Sequence, residues 1–312
     1  MANYVVLEAP SALGLFPSGV ERLPAALLDA GLAEALAARH AGVVVPPAYD
    51  AHRDPVTGLR NPTALRDYAR MLADATGAVL DGGDIPIVLG GDCSILLGNL
   101  LALRRRGRHG LLFIDGHADF YQADAEPNGE AASMDLALAT GRGPSVVTDL
   151  EGPAPLVRDR DVVHVGRRDA EEAEQAGSQR IEDTDITLFD LATVRQRGAE
   201  PVARDALARL VRPDLDGIWV HLDCDALDDA VMPAVDYRLP DGLRWDELQA
   251  VLGATIATGA VVGIEITIFN PTLDPDGSIA RALVTCLSGA LVPGDRSAMA
   301  GDADPPARRR ST

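Results

Sequence analysis

Leu111-Leu112-Phe113-Ile114-Asp115-Gly116-His117-Ala118-Asp119 is an apolar run that ends abruptly in Asp, His and Asp at every second position. Four consecutive large apolar side chains suit a strand buried on both faces. In an extended chain alternate residues project to one side, so Asp115, His117 and Asp119 are expected to converge at the strand's C-terminal end. Open α/β sheets hold their ligands at that edge. Carboxylate and imidazole donors together suit Mn, Fe, Zn or Co. Taken alone, the segment also fits a hydrogen-bonded loop network.

A second segment, Ile218-Trp219-Val220-His221-Leu222-Asp223-Cys224-Asp225, repeats the arrangement. Two acids at the end of a buried strand are costly unless they are paired or bind a metal. Their other reading is helix capping. The repetition of the pattern favours a metal. His221 faces the same side as Asp223 in a regular strand and is read as a hydrogen-bonded core histidine. In Ile87-Val88-Leu89-Gly90-Gly91-Asp92-Cys93-Ser94 a strand breaks at two glycines before a helix, and the turn carries Cys93 to the same edge of the sheet.

Working outward, short Val/Ile/Leu-rich segments are expected as strands at Tyr4–Leu7, Gly42–Val45, Ile85–Leu89, Gly110–Ile114, Val162–Val165, Ile186–Phe189, Ile218–Leu222 and Val261–Ile268. Helices are expected at Pro24–Arg39, Thr63–Leu80, Ser94–Arg106, Glu171–Gln175, Pro201–Val211, Trp245–Thr258 and Ser278–Leu287. This alternation predicts an α/β fold, a mostly parallel sheet with helices on both faces. No linker interrupts it, so residues 1–292 are expected to form a single domain. Residues 293–312 lack apolar periodicity and are expected to be a disordered tail. The stretch 43–62 reads as a polar loop over the site, whose Asp50, His52, Arg53 and Asp54 are candidate substrate contacts, with solvated loop residues as the favoured reading.

The chain has 312 residues, 47% of them hydrophobic, and a formal net charge of -19 with arginine as its only basic side chain apart from histidine. Such acidity disfavours nucleic acid and anionic membranes as partners. No apolar run reaches about 18 residues, so no transmembrane helix is expected. The start lacks the pattern of a signal peptide, and a cytoplasmic protein is expected. Cys93, Cys224 and Cys286 are odd in number and unpaired in spacing, which argues against a disulfide framework.

GGDCS at 90–94, DGHAD at 115–119 and DCD at 223–225, in this order and spacing, resemble the signatures of the arginase (ureohydrolase) superfamily, which includes arginases, agmatinases and formiminoglutamases. VHVGRRDAEEAE at 163–174, MPAVDYRLPDGLRWDEL at 232–248 and GIEITIFNP at 263–271 extend the resemblance to most of residues 80–290. It implies a doubly wound, eight-stranded parallel sheet carrying Mn²⁺, one or two ions per chain. By position, Cys93, Asp115, Asp119 and Asp223 would hold one ion and His117, Asp115, Asp223 and Asp225 the other. The resemblance further implies hydroxide attack on a carbon bonded to nitrogen in a small-molecule substrate, and a homo-oligomer, trimeric or hexameric.

The chain departs from the family pattern at three places. Cys93 stands where relatives carry histidine, and a thiolate matches Mn²⁺ poorly, so Zn²⁺ or Fe²⁺ becomes an alternative. A hydroxyarginine-hydrolysing branch of the family resembles this chain in that cysteine and in the DGH wording. Ala132-Ser133 replace the His-Gly pair that supplies a proton shuttle, leaving Asp119 and Asp135 as the catalytic candidates. Ile268 aligns with the glutamate that pairs with the guanidinium, while Glu265, three positions earlier, faces the other side of a regular strand. Glu171 and Glu265 are the candidate substrate-binding residues. The expectation is a hydrolase of a guanidino, N-hydroxyguanidino, ureido, formimino or amide C–N bond with poor plain-arginase activity. The alternative is a non-catalytic binding or partner subunit.

Overall fold

The computed structural model describes residues 3–292; the expected tail lies outside the described residues. Eight strands run β1 (Tyr4–Glu8), β2 (Arg39–Val43), β3 (Ile85–Leu89), β4 (Gly110–Ile114), β5 (Val162–Val165), β6 (Thr187–Phe189), β7 (Ile218–Asp223) and β8 (Val261–Thr267). They form one sheet in the order β2-β1-β3-β8-β7-β4-β5-β6, and every neighbouring pair is parallel. The doubly wound sheet is therefore wholly parallel.

Both faces of the sheet are covered. Val6, Ile87, Leu112, Val220 and Ile264 pack with residues of the helices Leu23–Asp29, Ala199–Leu210, Trp245–Ile256 and Ser278–Leu291. Leu7, Val88, Leu111, Phe113 and Trp219 pack with those of Pro62–Asp81, Leu96–Arg104 and Asp135–Ala139 on the other face. Burial on both faces explains why the central strands read as continuous apolar runs. The C-terminal ends of β3, β8, β7 and β4 lie side by side at the centre, and the candidate residues follow three of them.

Several expected elements differ in extent, the helix expected over Ser278–Leu287 for instance running on to Leu291, and three differences have a clear local cause. The helix expected over Pro24–Arg39 divides at Gly31, which has φ 90°, into Leu23–Asp29 and Leu32–Ala35. A left-handed residue ends a helix there, which apolar spacing does not reveal. β2 begins at Arg39, before the apolar stretch, because this edge strand is largely exposed. The helix expected from Ser94 starts as a tight 3₁₀ turn, Cys93–Ile95, and continues as Leu96–Arg104. No helix among the described residues is long and apolar enough to cross a membrane.

Candidate metal centre

Three turns at the C-terminal ends of strands build the centre. After β3, Asp92 accepts a hydrogen bond from the Ser94 amide at 2.9 Å and from the Gly14 amide at 3.2 Å, which locks the turn holding Cys93. Gly91 is required in this turn, since a Cβ there would sit 1.8 Å from the Ser11 carbonyl oxygen. After β4 the chain does not continue extended. Asp115 Oδ1 accepts from the His117 amide at 2.7 Å, and Asp119 is left-handed at φ 43°. Convergence of Asp115, His117 and Asp119 is thus produced by a turn, not by strand alternation. After β7, Asp223 Oδ1 accepts from the Asp225 amide at 2.6 Å and caps the 3₁₀ turn Cys224–Ala226. Capping and convergence on the centre coexist in one side chain.

Neighbouring strands hold the turn after β4 in place. The His117 carbonyl lies 2.7 Å from His164 Nε2, and the Ala118 amide donates to Asp169 Oδ2 at 3.1 Å. Arg168 donates to the Asp225 carbonyl at 2.7 Å, tying the turns after β5 and β7 together.

The candidate ligand atoms come together. Asp115, His117 and Asp225 each offer one ligand atom within 4.8 Å of the others, and so do Asp115, Asp119 and Asp223. A third group within that spacing is Cys93, His221 and Asp223. His117 Nδ1 lies 2.9 Å from Asp225 Oδ2, and the Cys93 thiol donates to Asp223 Oδ2 at 2.8 Å.

Burial, reinforced by neighbouring carboxylates, pushes Asp115, Asp119, Asp135 and Asp223 well above the usual carboxylate range. Burial also raises Cys93, and the surrounding acids add to it. Burial opposes a charge on His117, yet Asp225 and the other acids outweigh it and raise the imidazole to about 10. Crowded buried acids of this kind are relieved by a cation. Asp115 Oδ2 is buried without any hydrogen-bond partner, as a ligand oxygen would be. Carboxylate, imidazole and thiolate donors at this spacing fit divalent metal.

These groups hold their protons more tightly folded than unfolded, so the metal-free native state binds more protons than the unfolded chain. Its stability should therefore fall as pH rises from about 4, the unfolded carboxylate value, through the raised native values. Urea unfolding with excess chelator is expected to give a lower midpoint at about pH 8 than at about pH 5, a trend that added metal removes. A flat metal-free profile would contradict these electrostatics.

Above the ligands lies a cleft of about 320 Å³, lined among others by Cys93, His117, Asp119, Ser133, Tyr237 and Ile268. Glu172, not Glu171, borders it; Glu171 instead lines a separate surface depression beside Arg167 and Arg168. Glu265 is wholly buried outside the cleft, accepting a hydrogen bond from Asn99 and facing His221 Nδ1 at 2.7 Å. Neither expected substrate carboxylate therefore meets the cleft. Asp135 does not line it either; this acid is fully buried with both oxygens unpartnered, in the field of Asp119. Arg53 is exposed, as expected, and its guanidinium also donates to the carbonyls of Glu126 and Pro127 at 3.2 Å, fastening its loop to the wall of the cleft.

Residues 2–291 match the arginase family. The chain belongs to the arginase family. It is 29% identical to an arginase of Bacillus caldovelox over 294 residues, covering 91% of this chain and 97% of that one. The crystal structure of the native B. caldovelox arginase superposes with a TM-score of 0.84 at 26% identity, covering 94% of this chain and 99% of that one. An arginase from Bacillus cereus gives a TM-score of 0.83 at 26% identity, covering 93% and 98%. Family and fold place the chain among the ureohydrolase-type hydrolases.

Proposed function

We propose that this arginase-family protein is a metal-dependent hydrolase of a C–N bond in a small guanidino-type metabolite less basic than arginine, such as an N-hydroxyguanidine, or in a ureido or amide analogue. The observation that carries this reading is the convergence of Cys93, His117, Asp119, Asp223 and Asp225 on the lining of one cleft, with the buried Asp115 within ligand spacing of the last four. Cys93, Asp115, Asp119 and Asp223 would hold one divalent ion, and His117, Asp115, Asp223 and Asp225 a second. When bound, such a pair lowers the pKa of a shared water and supplies positive charge for a developing tetrahedral centre.

The chain's own groups do the rest. Asp119 lines the cleft and would accept a proton from the attacking water. Asp135, buried in the field of Asp119 and outside the cleft, would act through Asp119. Glu172 at the rim, in place of Glu171, would read an ammonium group of an amino-acid-like substrate. Ile268 presents an apolar wall where a guanidinium would need a carboxylate, and this disfavours plain arginine or agmatine. Manganese suits the His117 side of the donor set, whereas the thiolate of Cys93 favours zinc or iron. A cytoplasmic homo-oligomer, trimeric or hexameric, completes the reading; light scattering checks the assembly.

A non-catalytic binding role is the second reading, favoured by Ala132-Ser133 and Ile268. The experiment is metal analysis after reconstitution with Mn²⁺, Zn²⁺ or Fe²⁺, followed by turnover assays on a panel of C–N substrates. Retained metal with turnover of at least one panel member is the expected result. Stable folding with no turnover across the panel would favour the binding role.

A further inference from the structure

His221 stands apart from the ligand set that the family resemblance implies. It lies on β7, paired in register with Phe113 of β4 and Glu265 of β8. Its ring stacks on Phe113 at a centroid distance of 4.3 Å and an interplanar angle of 8°. Nδ1 is 2.7 Å from Glu265 Oε1. The other oxygen of Glu265 takes the Asn99 amide, and Asn99 in turn accepts from the Thr76 hydroxyl at 2.8 Å. In the neutral imidazole, Glu265 as acceptor would assign the proton to Nδ1 and leave the lone pair on Nε2. Nε2 is wholly buried and has no hydrogen-bond partner. It faces Asp115 Oδ2 across 4.0 Å, and that oxygen is itself without a partner. Two buried polar atoms without partners thus face one space, and a cation between them would satisfy both.

We infer that His221 is a metal ligand, forming with Cys93 and Asp223 a Cys–His–Asp site whose imidazole is oriented by Glu265. The inference rests on the metal-dependent reading above and adds a ligand to it. The ligand atoms of the three residues already lie within 4.8 Å of one another. A carboxylate bonded to the far nitrogen of a ligating histidine is the usual means of fixing its tautomer and direction. Family members usually carry an imidazole at position 93; here an imidazole enters the same centre from the strand beneath it. Sulfur, nitrogen and oxygen donors together shift the preference of this position from manganese towards zinc.

Zinc X-ray absorption on the saturated wild-type protein provides the test, together with zinc affinity by chelator competition. The expected spectrum has sulfur and about one imidazole per zinc, His117 and His221 each serving one ion. His221→Phe, which keeps a ring against Phe113, should weaken the sulfur-bearing ion by about 10–100-fold or more and halve the imidazole count. Glu265→Gln should weaken the same ion by about 10–100-fold while the sulfur signal persists. Unchanged zinc affinity in His221→Phe, or one imidazole per two zincs in the wild type, would overturn the inference and leave the hydrolase reading standing. A wild-type protein that retains no zinc, manganese or iron would overturn both. Because the imidazole count is read on the wild type, the test survives if His221→Phe does not fold.

Discussion

Asp223→Ala is expected to abolish turnover and to strip the protein of most of its metal. Asp223 shares two of the three ligand groups at the centre, accepts from the Cys93 thiol, and caps the turn that presents Asp225. Its loss thus removes a shared ligand and frees a second. Lewis-acid stabilisation worth several kcal/mol corresponds to about 10³-fold or more in rate. Metal analysis of the variant should show at most one loosely held ion. Stability should behave differently from activity. In the metal-free state Asp223 is one of several buried acids that repel one another, so removing it relieves charge and offsets the lost cap, which costs about 0.5–2 kcal/mol. Chelator-treated Asp223→Ala is therefore expected to unfold at nearly the same urea concentration as chelator-treated wild type. Turnover retained in this variant would sink the hydrolase reading.

The sequence displays the central sheet and the clustering of the acids because both follow from burial. Strands covered on two faces must be apolar throughout, and β3, β4 and β5 begin and end where their Val, Ile and Leu runs do. The largely exposed edge strand β2 carries no such signal and begins three residues ahead of its apolar stretch, whereas the edge strand β6, whose Phe189 is buried, is legible. The convergence of Asp115, His117 and Asp119 was legible, although its cause was not. A left-handed Asp119 and 3₁₀ turns leave little trace in residue type, since Asp serves turns, caps and metals alike. Glu171 and Glu172 are adjacent acids on one short helix, and which of them borders the cleft depends on a helical phase that their composition does not mark. The partnership of His221 with Glu265 is a cross-strand fact, created by the pairing of β7 with β8 over a separation of 44 residues. Read along the chain, His221 was a core histidine and Glu265 a misplaced substrate ligand. Their register joins them into one unit.

Ile268→Glu is expected to confer or raise hydrolysis of guanidinium substrates. Ile268 follows β8, lines the cleft, and has φ 70°, a left-handed conformation that is rare for a β-branched residue. Its amide donates to the Gly91 carbonyl at 2.8 Å, so the backbone is held in place whatever side chain it bears. Glutamate is not β-branched and should accept this backbone at least as readily, extending a carboxylate into the cleft above the metal ligands. A hydrogen bond to a charged partner contributes about 1.5–3 kcal/mol, which corresponds to a gain of about 10- to 100-fold in kcat/KM for arginine or agmatine. Urea release by the wild type and the variant, each reconstituted with manganese and with zinc, measures it. The wild type should be poor on both substrates and the variant clearly better on at least one. If the wild type already released urea from arginine at a rate typical of enzymes, the guanidinium would have to be read by another acid that lines the cleft, Glu126 or Glu172. If the variant bound metal normally yet gained nothing, the reacting group would not lie against position 268, and the neutral ureido and amide substrates would become the ones to pursue.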